Sequence, residues 1–464
     1  MLFLPYALFV HIVETQQDFT NLVAVLNSDH AYIDVVCVDS EKHASNNNIS
    51  LIFFYFIISD ECWCLPIRHN EAICIADGLK QIKQALKKSK FHKKLVSDKK
   101  SIVQLFGEDY DFIDTNIYRF LDSGVEPSEK KYTNAHSFVQ YNFKHLPNIN
   151  TCVPLYKHAK MFEAEVELIK NIKLNDVSEK GFVFTNDTMT ELFSKLESNG
   201  LCVNEDFTDV FGDEQTKHIK NGLVFSQYNL LTSTGRPSNR FGGVNYAALN
   251  KSDGSRNCFV SRYNDDGFLV MMDYNAFHPR LIAHLSNFNM AAEENPYAYL
   301  AKHFFNKKQA NDEDIAVAKG FTFTQIYGGI DKKWLHIPYF SKVQEYIDHR
   351  WKFFEQNGYI ETPKYGRKIK SCHIQDPTPN KLFNYILQAF ETEMAVDTLG
   401  ELIGYLNGKK TLPVLYTYDS ILFDAHKEDK MTVIKKIKQI MEREKFPVKV
   451  YVGKNYGDMK QVDL

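Results

Sequence analysis

Long apolar runs, excess charge of either sign, clustered cysteines and repeats are all missing from this chain, and each absence excludes a class of protein. No segment approaches the roughly 20 apolar residues that cross a bilayer as a helix. Residues 1–10 are apolar but carry no basic flank, and residues 51–58 are too short, so both are expected as buried strands. The eight cysteines are scattered, with only Cys62 and Cys64 close together, and no Cys/His set has zinc-finger spacing. A disulfide framework and a zinc module are thereby disfavoured, and reduced thiols in a cytoplasm-like compartment are expected. The net charge of −3 rules out nucleic-acid binding through a global basic field. Any DNA would have to be held by local clusters: Lys87, Lys88, Lys90, Lys93, Lys94, Lys99 and Lys100; Lys364, Arg367, Lys368 and Lys370; Lys435, Lys436 and Lys438. Taken singly, each such cluster reads better as a solvated face. Tryptophan is scarce (3) beside Phe (35) and Tyr (25), a balance that serves packed cores and base-stacking surfaces alike. No repeat is visible, and the only low-complexity run is Asn46-Asn47-Asn48.

What is present is enough chain, 464 residues, for two to four domains. The first part reads as α/β. Strands are expected at 32–38, 49–58 and 62–67, helical patterns at 75–86, 118–121, 155–172 and 190–197, and an amphipathic segment at 94–106. Pro127 opens a loop that runs to Asn134, Asn199-Gly200 suits a helix stop, and a domain transition is expected within 150–175.

In the second part, a strand-like run at 268–272 ends in Asp273-Tyr274 and passes into a helix carrying Pro279-Arg280. A second run at 414–418 ends in Asp419-Ser420 and turns back into 421–423. Between them, Asn311 with Asp314 suits a helix start and Gly328-Gly329 its end. Lys319, Phe323 and Tyr327 recur at every fourth position of that helix and share one face. Alone, each aspartate reads as the start of a turn and each aromatic as core packing. Together, two aspartates at rigid strand ends suit a pair of Mg²⁺ ions, and a cation beside an aromatic suits a triphosphate beside its sugar and base. That combination reads as nucleotidyl transfer.

The ordered set resembles the family A DNA polymerases, the DNA polymerase I class. Thr234-Gly235-Arg236 is similar to their Thr-Gly-Arg segment, and Asp273-Tyr274 with Arg280 to motif A. Lys319, Phe323, Tyr327 and Gly328 resemble the fingers helix, and Gly366-Arg367 the Gly-Arg that follows it. Asn384 and Gln388 resemble the Asn-x3-Gln of the palm helix, and Tyr418-Asp419-Ser420 stands where motif C reads His-Asp-Glu. The resemblance implies that Asp273 and Asp419 hold two Mg²⁺ ions (Mn²⁺ as an alternative) and that Lys319 steadies the triphosphate. It also implies that Tyr274, Phe323, Tyr327, Arg236, Asn384, Gln388 and Arg367 contact nucleotide or primer–template. Phe rather than Tyr at 323 goes, in this family, with poor use of dideoxynucleotides. Four positions depart from the pattern: His278 replaces the glutamate that gates against the ribose 2′-OH, Ile315 an arginine on the triphosphate, Tyr297 a histidine near phosphate, and Ser420 the second acid of motif C. His278 is expected over the sugar near Tyr327, still limiting ribonucleotide entry.

The N-terminal part resembles the family's 3′–5′ exonuclease domain, with Asp39 and Glu41 as the first Asp-x-Glu motif, Asp98 as the second, and Asp114-Thr115 as a recurring Asp-Thr. These imply a second site, for up to two Mg²⁺, at Asp39, Glu41 and Asp98. Its fourth acid is off pattern: Tyr118-x3-Asp122 lies too near Asp98, and His158 with Glu163 has the spacing of a His-x4-Asp variant. The resemblance thus implies a multidomain α/β and α+β chain, with a ribonuclease H-like exonuclease domain at 1–165 followed by a right-hand polymerase at 166–464. Within the latter a short thumb is expected at 166–228, palm at 229–288 and 374–464, and fingers at 289–373. A compact, bacteriophage-like, monomeric polymerase follows, working in the cytoplasm on primer–template DNA and dNTPs, with no membrane partner and with a processivity factor or other replisome proteins as further partners. The alternatives are a 3′–5′ exonuclease, or a non-catalytic primer–template-binding protein with a degenerate polymerase site.

Overall fold

A computed structural model describes residues 10–38, 48–124, 149–172, 177–216, 219–239, 244–250, 252–292 and 294–464. The chain forms two compact units, Met1–Ser194 and Lys195–Leu464.

The first unit is built on six strands: β1 (Val10–Ile12), β2 (Ala31–Cys37), β3 (Ile49–Phe56), β4 (Glu61–Pro66), β5 (Lys94–Val96) and β6 (Phe112–Asp114). Their order across the sheet is β1-β4-β3-β2-β5-β6. β2, β5 and β6 run parallel, while β3 is antiparallel to both its neighbours. All eight residues of β3, Ile-Ser-Leu-Ile-Phe-Phe-Tyr-Phe, are buried, as a strand covered on both faces requires. One face carries Phe54 and Phe56 against α1 (Gln16–Leu26) and α2 (Gly78–Lys88). The other carries Phe53 and Tyr55 toward Phe162, Val166 and Ile169. At about 2 kcal/mol for each fully buried Phe, this alternation holds helices on both sides.

The amphipathic segment 94–106 is not one element. It divides into β5 and the helix α3 (Lys99–Phe106), because Asp98 accepts from the Ser101 amide (3.1 Å) and caps a new helix start. α4 (Thr115–Ser123) begins on a similar cap from Asp114, and α5 (Leu155–Lys170) is the helix that covers the second face.

The second unit is organised on an antiparallel sheet of β7 (Gly267–Tyr274), β8 (Leu412–Thr417), β9 (Ser420–His426), β10 (Val448–Gly453) and β11 (Lys460–Val462), in the order β8-β9-β7-β10-β11. β7 is central and pairs in unbroken register with β9 from Gly267↔His426 to Asp273↔Ser420. β8 and β9 form a hairpin with a two-residue turn, and its one register shift lies between Pro413 and Leu415, at the end of β8 away from the turn. The unit's helices include α6 (Phe277–Leu285), α7 (Pro296–Phe304), α8 (Asp312–Gly328), α9 (Pro338–Asn357), α10 (Pro379–Leu406) and α11 (Lys430–Met441). α8 starts where the sequence indicated. Asn311 accepts from the Asp314 amide (2.8 Å), Asp314 accepts from the Asn311 amide (3.1 Å), and Gly329 at φ +109° follows the last turn. Among the described residues no helix is long and apolar enough to cross a membrane, and no cysteine is joined in a disulfide.

Candidate active site

Asp273 is the penultimate residue of β7, and Asp419 is the second residue of the β8–β9 turn. The register sets Asp273 opposite Ser420, and the Tyr274 amide donates to the Asp419 carbonyl at 3.0 Å. Paired backbones thus carry both carboxylates to one place. The carboxyl of Asp419 is pushed up to about 6, first by burial, then by the negative charge of Asp273 and next by that of Glu391. Two like charges that oppose each other's ionisation form a donor pair that a divalent cation would relieve, and Mg²⁺ takes carboxylate oxygens while keeping waters. Among the described residues no group of three or more His, Cys, Asp or Glu side chains could hold an ion, so any such ion here would rely on this pair together with water and substrate oxygens.

The turn is strained. Tyr418, its first residue, has φ +65°, a conformation that usually falls to glycine at the first position of a two-residue hairpin turn. The Arg236 guanidinium lies 3.6 Å from the centroid of the Tyr418 ring and covers it. Ser420, in place of the expected acid, is buried, and its hydroxyl meets that of Thr417 at 2.6 Å.

On α8, Phe323 and Tyr327 stack at 5.8 Å between centroids and 13° between planes. Tyr297 of α7 joins this row 6.2 Å from Phe323, and the Lys319 ammonium stands 5.9 Å from the centre of the Tyr297 ring. The row bears on Asp419. Burial pushes the Tyr327 hydroxyl up to about 12, with Glu391 and Asp419 adding to the rise, and Tyr297 is raised by burial, with contributions from Tyr327 and Asp419. Tyr297 is itself largely buried, so it serves as a floor beneath Lys319 and Phe323. Ile315 lies one turn before Lys319 on the same helix and supplies no charge there.

His278, near the start of α6, is held at both ring nitrogens. Nδ1 meets the Tyr327 hydroxyl at 2.5 Å, and Nε2 meets Oε1 of Glu391 at 2.9 Å. Glu391, in the middle of α10, is 1% exposed, and its other oxygen lies 3.0 Å from Nε of Arg236. That pair is close in distance but not aligned as a hydrogen bond, so the attraction is chiefly coulombic. Sequence reasoning missed Glu391. The available signal was a pair of glutamates, Glu391 and Glu393, inside an otherwise apolar helical stretch, since buried acids need partners.

Two residues expected to touch substrate, Tyr274 and Arg367, are placed otherwise. The Tyr274 side chain turns into the core, stacked on Phe277 at 4.3 Å, with its hydroxyl donating to Thr398 at 3.2 Å; only its backbone amide reaches the site. Arg367 is buried, donates to the Ser233 carbonyl at 3.0 Å, and has its pKa lowered to about 10 by burial. It braces the Thr234-Gly235-Arg236 loop from beneath. Gly235, at φ +75°, leaves room for it: an added Cβ would stand 2.9 Å from the guanidinium. Arg236 itself is committed to Glu391 and Tyr418 while staying partly open to solvent. Arg280 is also structural, donating to the carbonyls of Asn275, Ala291 and Glu294. Asn384 and Gln388 lie one turn apart on α10, both partly exposed, and the Asn384 side-chain oxygen has no protein partner.

In the first unit, Asp39 and Glu41 lie outside the described residues. Asp98 lies two residues beyond the end of β5, and Asp114 ends the neighbouring parallel strand β6. Asp114 is pushed up to about 7, first by burial and then by the charge of Asp98, which places these two acids close together. Each also caps a helix: Asp98 binds both the amide and the hydroxyl of Ser101, and Asp114 accepts from the amides of Lys99, Asn116 and Ile117. His158 and Glu163 have separate surroundings. His158 is buried against His69 and the Asn150 carbonyl, whereas Glu163 is half-buried near Cys62.

No protein-family model matches the chain. A solved structure described as the POL domain of Pol1 from M. smegmatis, in complex with DNA primer-template and dNTP, is similar over 97% of this chain and 99% of that chain, with a TM-score of 0.69 at 12% identity. The chain therefore has the multidomain α/β and α+β fold of a Pol I-like, family A polymerase domain, with its palm, fingers and thumb.

Proposed function

We propose that this protein is a DNA-templated DNA polymerase that adds dNTPs to a primer 3′ end. The observation that carries the reading is the Asp273/Asp419 pair, held by paired strands and electrostatically coupled to the aromatic row of α7 and α8. Two Mg²⁺ ions, when bound at these carboxylates, would lower the barrier by activating the attacking oxygen and stabilising the leaving one. The chain's own residues do the positioning. Lys319, over the Tyr297 ring, would draw a triphosphate's charge to the α8 face, and the stacked rings of Phe323 and Tyr327 would offer a flat wall to sugar and base. His278 projects beside Tyr327 and would act there as the sugar gate. Asn384 and Gln388, both partly exposed on α10, would offer amides to the template, and the partly exposed guanidinium of Arg236 would serve the primer end. Arg367 acts on DNA only through the loop it braces.

The first unit fits a ribonuclease H-like 3′–5′ exonuclease. Asp114 ends β6 and Asp98 lies two residues beyond the carboxyl end of the adjacent parallel strand β5, and the sequence runs on from β2, the next parallel strand, to Asp39 and Glu41. The raised carboxyl of Asp114, held up in part by the charge of Asp98, would suit Mg²⁺ by the same logic as the palm pair. Primer extension with one dNTP and Mg²⁺ tests both halves. Asp419→Ala should abolish extension and leave 3′ trimming, and Asp39→Ala should do the reverse. Extension that survives Asp419→Ala would remove the basis of the polymerase reading.

A further inference from the structure

The buried carboxylate of Glu391 is the centre of a chain of contacts through four other side chains. It runs from Tyr327 at the end of α8, through His278 on α6 and Glu391 on α10, to Arg236 on its loop and Tyr418 in the strained turn beside Asp419. The direction of the bonds follows from chemistry. A carboxylate oxygen can only accept, so Nε2 of His278 carries the proton. In the neutral ring Nδ1 is then an acceptor, and the Tyr327 hydroxyl must donate to it. The Tyr327 hydroxyl can donate or accept, so of the two groups bonded to the His278 ring only Glu391 sets the tautomer.

We propose that Glu391 is a positioning residue for sugar selection. It locks His278 with Nε2–H turned inward and the Nδ1 edge turned to Tyr327, so that the wall facing the nucleotide sugar is rigid. The glutamate expected at position 278 is thus replaced by two residues, an imidazole at the surface and a carboxylate behind it, contributed by α6 and α10. Arg236 balances the buried charge, and because it also covers Tyr418, the sugar wall and the Asp419 turn share one support. Glu393, two positions along α10, faces elsewhere and binds the Thr362 hydroxyl and the Lys364 amide, so the role belongs to Glu391 alone of the pair.

This rests on the polymerase reading, and the test separates the two. The ratio of kcat/KM for dNTP to that for rNTP is measured for the wild type, Glu391→Gln, His278→Ala and the double variant, and the His278 tautomer is read from ¹⁵N-histidine spectra of the full chain. Glu391→Gln should lower the selectivity ratio roughly tenfold, the scale of one well-placed hydrogen bond to a charged group. The double variant should be no less selective than His278→Ala alone, because Glu391 acts through that ring. The spectra should show the Nε2–H tautomer in the wild type and a mixture in Glu391→Gln. Unchanged selectivity in Glu391→Gln, additive losses in the double variant, or a wild-type Nδ1–H tautomer would each overturn the proposal. A wild type that extends no primer under any condition would instead refute the polymerase reading, while the spectra still decide whether Glu391 sets the ring.

Discussion

Replacing Asp419 with asparagine should make the metal-free protein more stable while destroying its response to Mg²⁺. The Asp419 carboxyl rises from 3.8 to about 6 because burial and the charges of Asp273 and Glu391 oppose its ionisation. A shift of about 2 units corresponds to about 3 kcal/mol of penalty carried by the ionised form. Neighbouring atoms crowd the Asp419 carboxyl, but the residue at the turn still has much of its surface in water, and solvent screens such a penalty strongly, so about 1 kcal/mol is the realistic yield. The sign follows from proton binding. Below pH 4 folded and unfolded chains both hold the proton. Between pH 4 and pH 6 the folded chain keeps a proton that the unfolded chain has lost, so stability falls as pH rises. Above pH 6 the whole penalty is in place. Asp419→Asn should therefore raise the melting temperature of the second unit by roughly 2–4 °C at pH 7.5 in EDTA, and the gain should fade toward pH 4. Magnesium should stabilise the wild type at pH 7.5 and leave the variant unmoved. Thermal unfolding followed by circular dichroism, with and without Mg²⁺, measures both effects. An asparagine variant no more stable than wild type at pH 7.5, or a gain that persists undiminished at pH 4, would refute the repulsion argument.

Phe323→Tyr should increase chain termination by dideoxynucleotides in a primer-extension ladder, with dNTP use little changed; equal termination by both forms would remove Phe323 from sugar sensing. Gly235→Ala should cost about 1–3 kcal/mol in denaturant unfolding, since the residue sits at φ +75° with Arg367 packed 2.9 Å from the added carbon. In the first unit, the raised carboxyl of Asp114 predicts that stability falls as pH climbs from about 4 to about 7, and that Asp114→Asn flattens this slope in a pH series of melting temperatures.

The parts of the site that are local in sequence were legible there. α8 announces its start with Asn311 and Asp314 and its end with paired glycines, and its face follows from four-residue spacing. The two aspartates stand at the ends of short apolar runs that read as strands. What sequence could not disclose is pairing over distance. Glu391 gains its meaning from residues 113 and 155 positions away, at His278 and Arg236, and a glutamate inside a helix looks the same whether it faces water or a buried guanidinium. The same holds for Arg367 and Tyr274, whose residue types suit a substrate contact but whose side chains are spent inside the fold. The break at Asp98 was visible in principle, since Ser97-Asp98 followed by Ser101 is a cap signal, but the hydrophobic period across 94–106 obscured it.

The hairpin that carries Asp419 also limits how this chain can change in length. Side chains alternate along a strand, so one inserted residue between Leu415 and Asp419 would turn every later position to the opposite face. The carboxylate would leave Asp273 without any mutation of either aspartate. The same insertion ahead of Leu415 would be absorbed, because the pairing there already accommodates an irregularity between Pro413 and Leu415. Tolerance to insertion in this hairpin should therefore switch from permissive to lethal within a few residues, a boundary that a scan of single-residue insertions would map directly.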